Sequence, residues 1–163
     1  MSSVTTPSGS RTTPAPAGID PRGPRFGAAI TTIVLAAVLL TGAVWLLAVQ
    51  AIVFALGALA GPGAQPYGIA FRRLVRPRLA PPAHLEDPRP PRFAQAVGLG
   101  FALLGLAGYA AAIPALGGAA VALALAAAFL NAAFGFCLGC EMYLLGRRAL
   151  AREGGKPRLA VAD

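Results

Sequence analysis

The sequence predicts an all-α membrane protein with four transmembrane helices, arranged as two tandem hairpins with a short interfacial basic helix between them. The chain has 163 residues, of which 56% are hydrophobic and only 12% charged, and this leaves too little polar surface to cover a water-soluble domain. No charged residue lies between Arg25 and Arg72. None lies between Arg92 and Glu141. Because about 20 residues cross the hydrocarbon core of a bilayer, each uncharged run holds two spans.

Residues 1–25 are rich in Ser, Thr, Pro and Gly and predict a disordered N-terminal tail. A secretory signal peptide would have an apolar region of about 7–15 residues followed by a cleavage site, whereas the apolar character here continues past Leu56. The first hairpin is therefore expected over residues 26–61. Its turn is expected at Thr41-Gly42, where a polar residue and a glycine interrupt the apolar run.

Residues 62–92 form the predicted loop between the hairpins. From Ile69 to Leu79 apolar residues are interleaved with arginines, which predicts a short basic helix in the membrane interface; a solvated basic loop is the alternative. The prolines that follow exclude regular structure. The second hairpin is expected over residues 93–146, with a Pro/Gly turn from Ile113 to Gly118. Residues 26–148 thus form one transmembrane domain, and residues 149–163 a C-terminal tail.

The distribution of basic residues predicts the orientation in the membrane. All 14 Lys and Arg residues lie before Phe26, between Arg72 and Arg92, or after Gly146. Two spans separate each of these regions from the next, so all three lie on one face, which the positive-inside rule makes cytoplasmic. The sequence predicts a multi-pass protein of the inner (plasma) membrane with both termini in the cytoplasm. No nucleic-acid partner is expected from the net charge of +8, because a basic recognition helix is lacking.

A short internal repeat precedes both uncharged runs. Asp20-Pro-Arg-Gly-Pro-Arg-Phe26 recurs 67 residues later as Asp87-Pro-Arg-Pro-Pro-Arg-Phe93, with six identities in seven positions. Asp can cap backbone N–H groups, Pro is tolerated in a first helical turn, and Arg reaches lipid headgroups. The repeat predicts a parallel duplication of hairpins related by an axis along the membrane normal. Convergence on a good helix-start signal is the alternative.

The candidate site lies near the end of the second apolar run, where both cysteines of the chain, Cys137 and Cys140, adjoin Glu141. On a continuous helix these three residues share one face, and we predict them as catalytic residues, with Asn131 lining the substrate site. An undistorted helix holds the two cysteines too far apart for a disulfide. If instead the helix breaks near Gly135, Cys137 lies at a helix N-terminus, where the dipole stabilises a thiolate.

Counting helix rise back from Arg147 places the cysteine pair about 10–15 Å inside the cytoplasmic interface. In the cytoplasm no standing disulfide is expected. Alternatives remain for each residue: the cysteines as small packing residues, Glu141 at the interface or paired with Arg72 or Arg76, and a metal site that includes His84. The sequence predicts no metal and no cofactor.

Several stretches carry a resemblance to a known family: Pro66-Tyr67-Gly68, Phe71-Arg72, Val75-Arg76-Pro77-Arg78-Leu79, Glu86-Asp87-Pro88, Pro91-Arg92-Phe93-Ala94-Gln95, Phe129-Leu130-Asn131 and Cys137-Leu138-Gly139-Cys140-Glu141. At these residues the chain resembles a bacterial family of small multi-span membrane proteins, defined as a domain of unknown function. The resemblance covers Ile19 to about Arg148, and the Cys-Leu-Gly-Cys-Glu motif is its most specific part. Members are often encoded near thioredoxin-like proteins and rhodanese-type sulfurtransferases, so the resemblance implies these as partners. It implies no activity.

These observations favour a membrane thiol relay, in which Cys137 or Cys140 exchanges electrons or a persulfide sulfur with a thioredoxin-like or rhodanese-type partner through a mixed disulfide. A transporter or channel component for a small sulfur species and a non-catalytic membrane docking subunit are the alternatives. Whether the protein is an enzyme stays open. Quinone-coupled disulfide-forming enzymes also use small helical bundles with Cys-x-x-Cys, but they need an outward-facing pair and usually a second cysteine pair, and this chain meets neither condition. Small residues available for close packing suggest a homodimer: Gly98, Gly100, Gly105 and Gly108.

Overall fold

A computed structural model describes residues 18–154 of the chain. Over this part the chain folds into six α-helices, and the predicted all-α class is confirmed there. The helices are α1 (Arg22–Thr41), α2 (Val44–Ala60), α3 (Pro66–Ala70), α4 (Arg89–Ala110), α5 (Pro114–Phe134) and α6 (Leu138–Gly154).

The first predicted turn, at Thr41-Gly42, is confirmed, whereas the second lies at residues 111–113, so most of the turn predicted from Ile113 to Gly118 belongs to α5. Helix α1 ends at Thr41, and Gly42 follows with φ of 69° while its N–H donates to the carbonyl oxygen of Val38 at 2.9 Å. Glycine suits this left-handed position because it has no Cβ to clash with the backbone. Helix α4 ends at Ala110 and α5 begins at Pro114, where the missing N–H of proline needs no helical partner.

Large apolar side chains are exposed on the described helices, and a few polar side chains are buried between them. Leu40 is 86% exposed and Trp45 is 69% exposed, whereas Gln50 is fully buried. Its Nε2 donates to Oγ1 of Thr31, and its Oε1 accepts from the hydroxyl of Tyr67. Three helices, α1, α4 and α5, are long and apolar enough to cross a membrane, and α2 is a shorter apolar helix. Exposed apolar helices around hydrogen-bonded polar residues indicate a membrane protein.

The helices pack across the two hairpins rather than mainly within them. Helix α1 contacts α5 extensively, α2 contacts α4, and α4 also packs against α5. The core between them contains Leu35 and Val38 of α1, Leu47 of α2 and Val121 of α5, each at most 1% exposed. If the first hairpin (α1 and α2) and the second hairpin (α4 and α5) are interchanged, α1 takes the place of α4 and α2 that of α5. The pairing of α1 with α5 then becomes the pairing of α4 with α2.

The glycines of α4 contact other helices of the same chain. A Cβ built on Gly98 would lie 2.8 Å from the Phe54 ring, and one on Gly108 would lie 2.6 Å from the backbone nitrogen of Gly117. A Cβ on Gly105 would also meet side chains of the bundle, and only a Cβ on Gly100 would meet nothing within 4 Å. Most of these glycines therefore serve packing inside the bundle, and the homodimer stays a prediction.

The predicted loop, residues 62–92, is helical from Pro66 to Arg78 and again from Arg89, where α4 begins. The expected lack of regular structure was therefore wrong at Pro90 and Pro91, because proline is tolerated in the first turn of a helix. After α3 the chain continues as one π-helical turn, Phe71–Val75, and a 3₁₀ turn, Arg76–Arg78. Phe71 is only 3% exposed and its ring lies 5.8 Å from that of Phe26, whereas the arginines of the segment are exposed. The predicted helical conformation is present, and its position in the membrane interface stays a prediction.

Both predicted tails overlap the helices. Helix α1 begins at Arg22, so the end of the predicted tail, residues 1–25, forms the first helical turn. Helix α6 extends to Gly154 and thus enters the predicted tail 149–163. The remainder of both tails lies outside the described residues.

Candidate functional site

The two copies of the repeat motif begin α1 and α4 with the same hydrogen bond. An Oδ1 atom of Asp20 accepts the backbone N–H of Arg22 at 3.0 Å, and Oδ1 of Asp87 accepts that of Arg89 at 2.9 Å. Asp20 also accepts from the guanidinium of Arg22, which in turn donates to the carbonyl oxygen of Ala80. The side-chain hydrogen bond from Arg22 holds the pKa of Asp20 below its ordinary value.

A backbone bridge brings the starts of α1 and α4 together. Ile19 and Glu86, each directly before its copy of the motif, exchange two N–H···O hydrogen bonds of 2.9 Å in antiparallel orientation. A pair of this kind relates its two residues by a local twofold rotation. The two helices therefore begin side by side at one end of the bundle.

The second arginine of each motif lies at the end of a helix from the other hairpin. Arg92 donates to the carbonyl oxygens of Ala58 and Leu59 at the end of α2. Arg25 lies against the end of α5, where a Cβ built on Gly135 would be 3.4 Å from the guanidinium carbon. A cation is favourable at either position because a helix C-terminus carries unsatisfied carbonyl groups and partial negative charge. The repeat motif thus places one arginine beside the loop that leads to the cysteines.

Helix α5 breaks before the cysteines, so the continuous-helix alternative is wrong. Gly135 has φ of 69°, and its N–H donates to the carbonyl oxygen of Asn131 at 3.0 Å. This is a left-handed helix cap, which glycine adopts without steric cost. Cys137 directly precedes α6, and its carbonyl oxygen accepts the N–H of Glu141 at 3.0 Å. Cys137 therefore lies at a helix N-terminus and Cys140 in the first turn.

Two sequence-based expectations are corrected by this break. The depth of 10–15 Å assumed uninterrupted helix rise to Arg147, and it no longer applies once the chain turns at Gly135. Cys137 and Cys140 form a disulfide in this structure, with their Cα atoms 5.2 Å apart, although no standing disulfide was expected. The bond can form because Cys137 lies outside the regular helix that would hold the two thiols apart.

The first turn of α6 is held against the first turns of α4. A Cβ on Gly139 would lie 2.7 Å from both Cα and Cβ of Ala94. One turn further on, the Tyr143 ring lies 5.7 Å from the Phe93 ring. The glycine between the cysteines thus permits close packing that any side chain would obstruct. The cysteine loop consequently lies at the end of the bundle where α1 and α4 begin.

The structure brings some of the predicted site residues together. Cys137 and Asn131 both line a cavity of about 270 Å³ between the helices. Cys140 is joined to this wall through the disulfide. Glu141 is exposed and does not line the cavity. Among the described residues Asp20 forms an ion pair with Arg22, and Glu141 does not pair with Arg72 or Arg76.

Sequence reasoning missed Arg25 and Gly139 as residues of this site. The signal for Arg25 was available in the repeat, because the arginine occupies the same motif position as Arg92. The contact between Arg25 and Gly135 could not be predicted from the motif, because Gly135 is more than a hundred residues further along the chain. Gly139 was noted only as part of the Cys-Leu-Gly-Cys-Glu motif, whereas in the structure it contacts α4.

The fold and the site together define a helical protein of membrane type with a disulfide-forming cysteine pair at one end of its bundle. The chain belongs to the family described as Domain of unknown function (DUF4395), which matches residues 19–148. The match includes the Cys137–Glu141 segment and both copies of the repeat motif, and it confirms the family resemblance. No curated protein and no solved structure matches the chain.

Proposed function

We propose that the protein is a four-span membrane thiol relay, in which Cys137 and Cys140 exchange electrons or sulfur with a thioredoxin-like or rhodanese-type partner. The observation that carries the proposal is the Cys137–Cys140 disulfide at the N-terminus of α6. A pair that closes at this position is arranged to be opened again by a thiolate, because the helix N-terminus stabilises the thiolate that leaves.

Arg25 supports the same chemistry. Its guanidinium lies against Gly135, two residues before Cys137. A cation near a thiol favours the ionised form, and the thiolate is the species that attacks a disulfide. The exposed carboxylate of Glu141, one turn after Cys137, serves in this proposal as the proton acceptor for the thiol. As a fixed anion it would oppose the effect of Arg25.

Exchange with the partner proceeds through a mixed disulfide on Cys137. The partner thiolate attacks Sγ of Cys137, the bond to Cys140 breaks, and Cys140 takes the electron pair and a proton. The second partner thiol then attacks the partner sulfur of the mixed disulfide and releases Cys137. Two electrons have moved from the partner dithiol to the Cys137–Cys140 pair, and the reverse sequence returns them.

The proposed topology has four spans with the cysteine loop on the cytoplasmic side of the inner membrane. Helix α2 has 17 residues, about 25 Å at 1.5 Å per residue, which is near the lower limit for a span. The hydrogen bonds of Arg92 and the packing of Arg25 bring the starts of α1 and α4 to the ends of α2 and α5. The arginines are thereby gathered at one end, as the positive-inside rule requires of a cytoplasmic face.

The topology is tested by labelling single cysteines at the two ends of the bundle. We expect Ala83→Cys, in the loop before α4, to resist a membrane-impermeant maleimide in intact cells and to react after lysis. Ala115→Cys, at the opposite turn, is the matched control and should react in intact cells. Both are made in a Cys137→Ser/Cys140→Ser background. Labelling of position 83 in intact cells would show the opposite orientation.

The relay is tested by trapping its mixed disulfide in native membranes. We expect Cys140→Ser to accumulate a disulfide-linked adduct on Cys137, because the resolving thiol is missing. The adduct should disappear on reduction. The matched control, Cys137→Ser, should give no adduct. If neither variant traps a partner, or if the double serine variant fully complements a deletion strain under sulfur or oxidative stress, the relay is wrong.

A further inference from the structure

The cavity beside Cys137 has no role in the thiol exchange described above. It has a volume of about 270 Å³ and is bounded by residues of α1, α2, α4, α5 and α6. Most of its wall is apolar, and its polar residues are Thr31, Gln95 and Asn131. Cys137 forms part of the wall, whereas Cys140 does not. One residue of the pair therefore lines an apolar compartment inside the bundle.

We propose that this cavity binds the ring of a lipid-soluble quinone, which accepts the two electrons of the reduced Cys137–Cys140 pair. The inference rests on the proposed thiol relay and names its second redox partner. It differs from the quinone-coupled disulfide-forming enzymes set aside above, because the single pair Cys137–Cys140 takes electrons from a cytoplasmic dithiol and needs neither an outward-facing position nor a second cysteine pair. A soluble thiol partner reaches the cysteine loop from the basic end of the bundle. The quinone reaches Cys137 from the lipid side.

The walls of the cavity select an uncharged ligand. An ionised ligand would lose its hydration without gaining a charged partner among the described wall residues. The volume is just below the range of about 300–1,000 Å³ that is typical of sites for drug-sized molecules, so it suits a single ring. The amides of Gln95 and Asn131 each offer donors and an acceptor. Such groups can hydrogen-bond both the carbonyl oxygens of a quinone and the hydroxyls of the hydroquinone.

The rim of the cavity is exposed and apolar. Leu123 on α5 is 59% exposed and Met142 on α6 is 49% exposed, and both contribute to the lining. A ligand dissolved in lipid can therefore reach the cavity without crossing a charged surface. The alkyl tail of a quinone would remain between the helices and the lipid.

The redox step balances without a further reactant. In the reduced pair the Cys137 and Cys140 thiols give up two protons and two electrons, and the S–S bond forms. The quinone takes up the two electrons and two protons, and its two carbonyl oxygens become hydroxyls. The cycle returns the disulfide, which the partner dithiol then reduces again. Electrons thus pass from a soluble dithiol through the pair to the lipid-soluble carrier.

The experiment follows oxidation of the purified, full-length protein by decylubiquinone in detergent. The pair is first reduced with dithiothreitol, the reductant is removed, and free thiols are counted after the quinone is added. We expect loss of both thiols together with formation of the hydroquinone. Ala127→Leu and Ala128→Leu place a larger side chain in the cavity and should slow this oxidation about tenfold or more. Ala126→Leu, on the exposed face of the same helix, should oxidise at the wild-type rate.

The reduction of the disulfide by soluble thioredoxin separates this inference from the proposed relay. Wild-type protein that exchanges with thioredoxin but is not oxidised by decylubiquinone would overturn the quinone inference and leave the relay intact. Equal quinone rates in wild type and both cavity variants would also overturn it. If the pair exchanges with neither reagent, the relay itself is wrong. Thermal unfolding in detergent shows whether each cavity variant has folded.

Discussion

Replacing Gly139 with alanine is expected to destabilise the protein by about 1–3 kcal/mol, the usual cost of overpacking a close contact. The added methyl would lie 2.7 Å from Cα and Cβ of Ala94. The Cα cannot move away by rotating a side chain, so α6 must shift from α4. The better helix propensity of alanine offsets at most about 1 kcal/mol of this cost. Thermal unfolding in detergent measures the change.

The matched control for this variant is Gly146→Ala on the same helix. A Cβ at Gly146 would meet nothing within 4 Å, so this change should leave stability unchanged or raise it slightly through helix propensity. Ala94→Gly combined with Gly139→Ala should recover part of the loss, because it removes one of the two short contacts. A Gly139→Ala variant as stable as Gly146→Ala would contradict the close packing of α6 on α4.

The helical hairpins were predictable because their signals are local. Charge-free runs of sufficient length set the number of apolar segments, and Gly42 and Pro114 ended and began helices within a few residues of themselves. The break before Cys137 was less certain, because the uncharged run continues through Gly135 to Glu141. An apolar run does not distinguish one long helix from two helices joined by a left-handed glycine. The hydrogen bond from Gly135 to Asn131 decides it.

The pairing of the helices could not be predicted from the sequence. Nothing in the apolar segments indicates that α1 packs mainly against α5 rather than α2, because helix faces in lipid are apolar on both sides. Arg25 and Arg92 occupy equivalent positions in the repeat motif, but the helix end that each arginine contacts depends on which helices pack together. The position of Arg25 beside the cysteine loop therefore emerged only from the tertiary structure.

The sequence predicted the reactive residues of the candidate site but not the cavity that surrounds them. Cys137, Cys140 and Asn131 were recognisable because thiols and an amide are rare in an apolar run. The cavity that Cys137 and Asn131 share is bounded by five helices, and residues from such distant segments show no common pattern in the chain. Glu141 was expected to share a face with the thiols on a continuous helix, and after the break it is exposed and does not line the cavity.

Replacing Arg25 with glutamine is expected to raise the pKa of the Cys137 thiol and so slow its alkylation at neutral pH. The guanidinium lies against Gly135, two residues before Cys137, and a nearby cation stabilises a thiolate. If the effect is about one pKa unit, alkylation of the reduced pair falls about tenfold at pH values below the thiol pKa. The alkylation rate at high pH, where the Cys137 thiol is ionised in both the wild type and the variant, should be nearly unchanged.

Arg92→Gln is the matched control, because the repeat gives Arg92 the same motif position while its guanidinium binds the carbonyl oxygens of Ala58 and Leu59 at the end of α2. Both variants remove one cation from a helix C-terminus and should cost similar stability. Only Arg25→Gln should shift the pH profile of alkylation, measured by mass spectrometry on the reduced protein, and Arg25→Lys should restore most of it. Identical pH profiles of alkylation for the two glutamine variants would show that Arg25 is a structural cap with no influence on the thiol. In that case only the N-terminus of α6 would stabilise the thiolate.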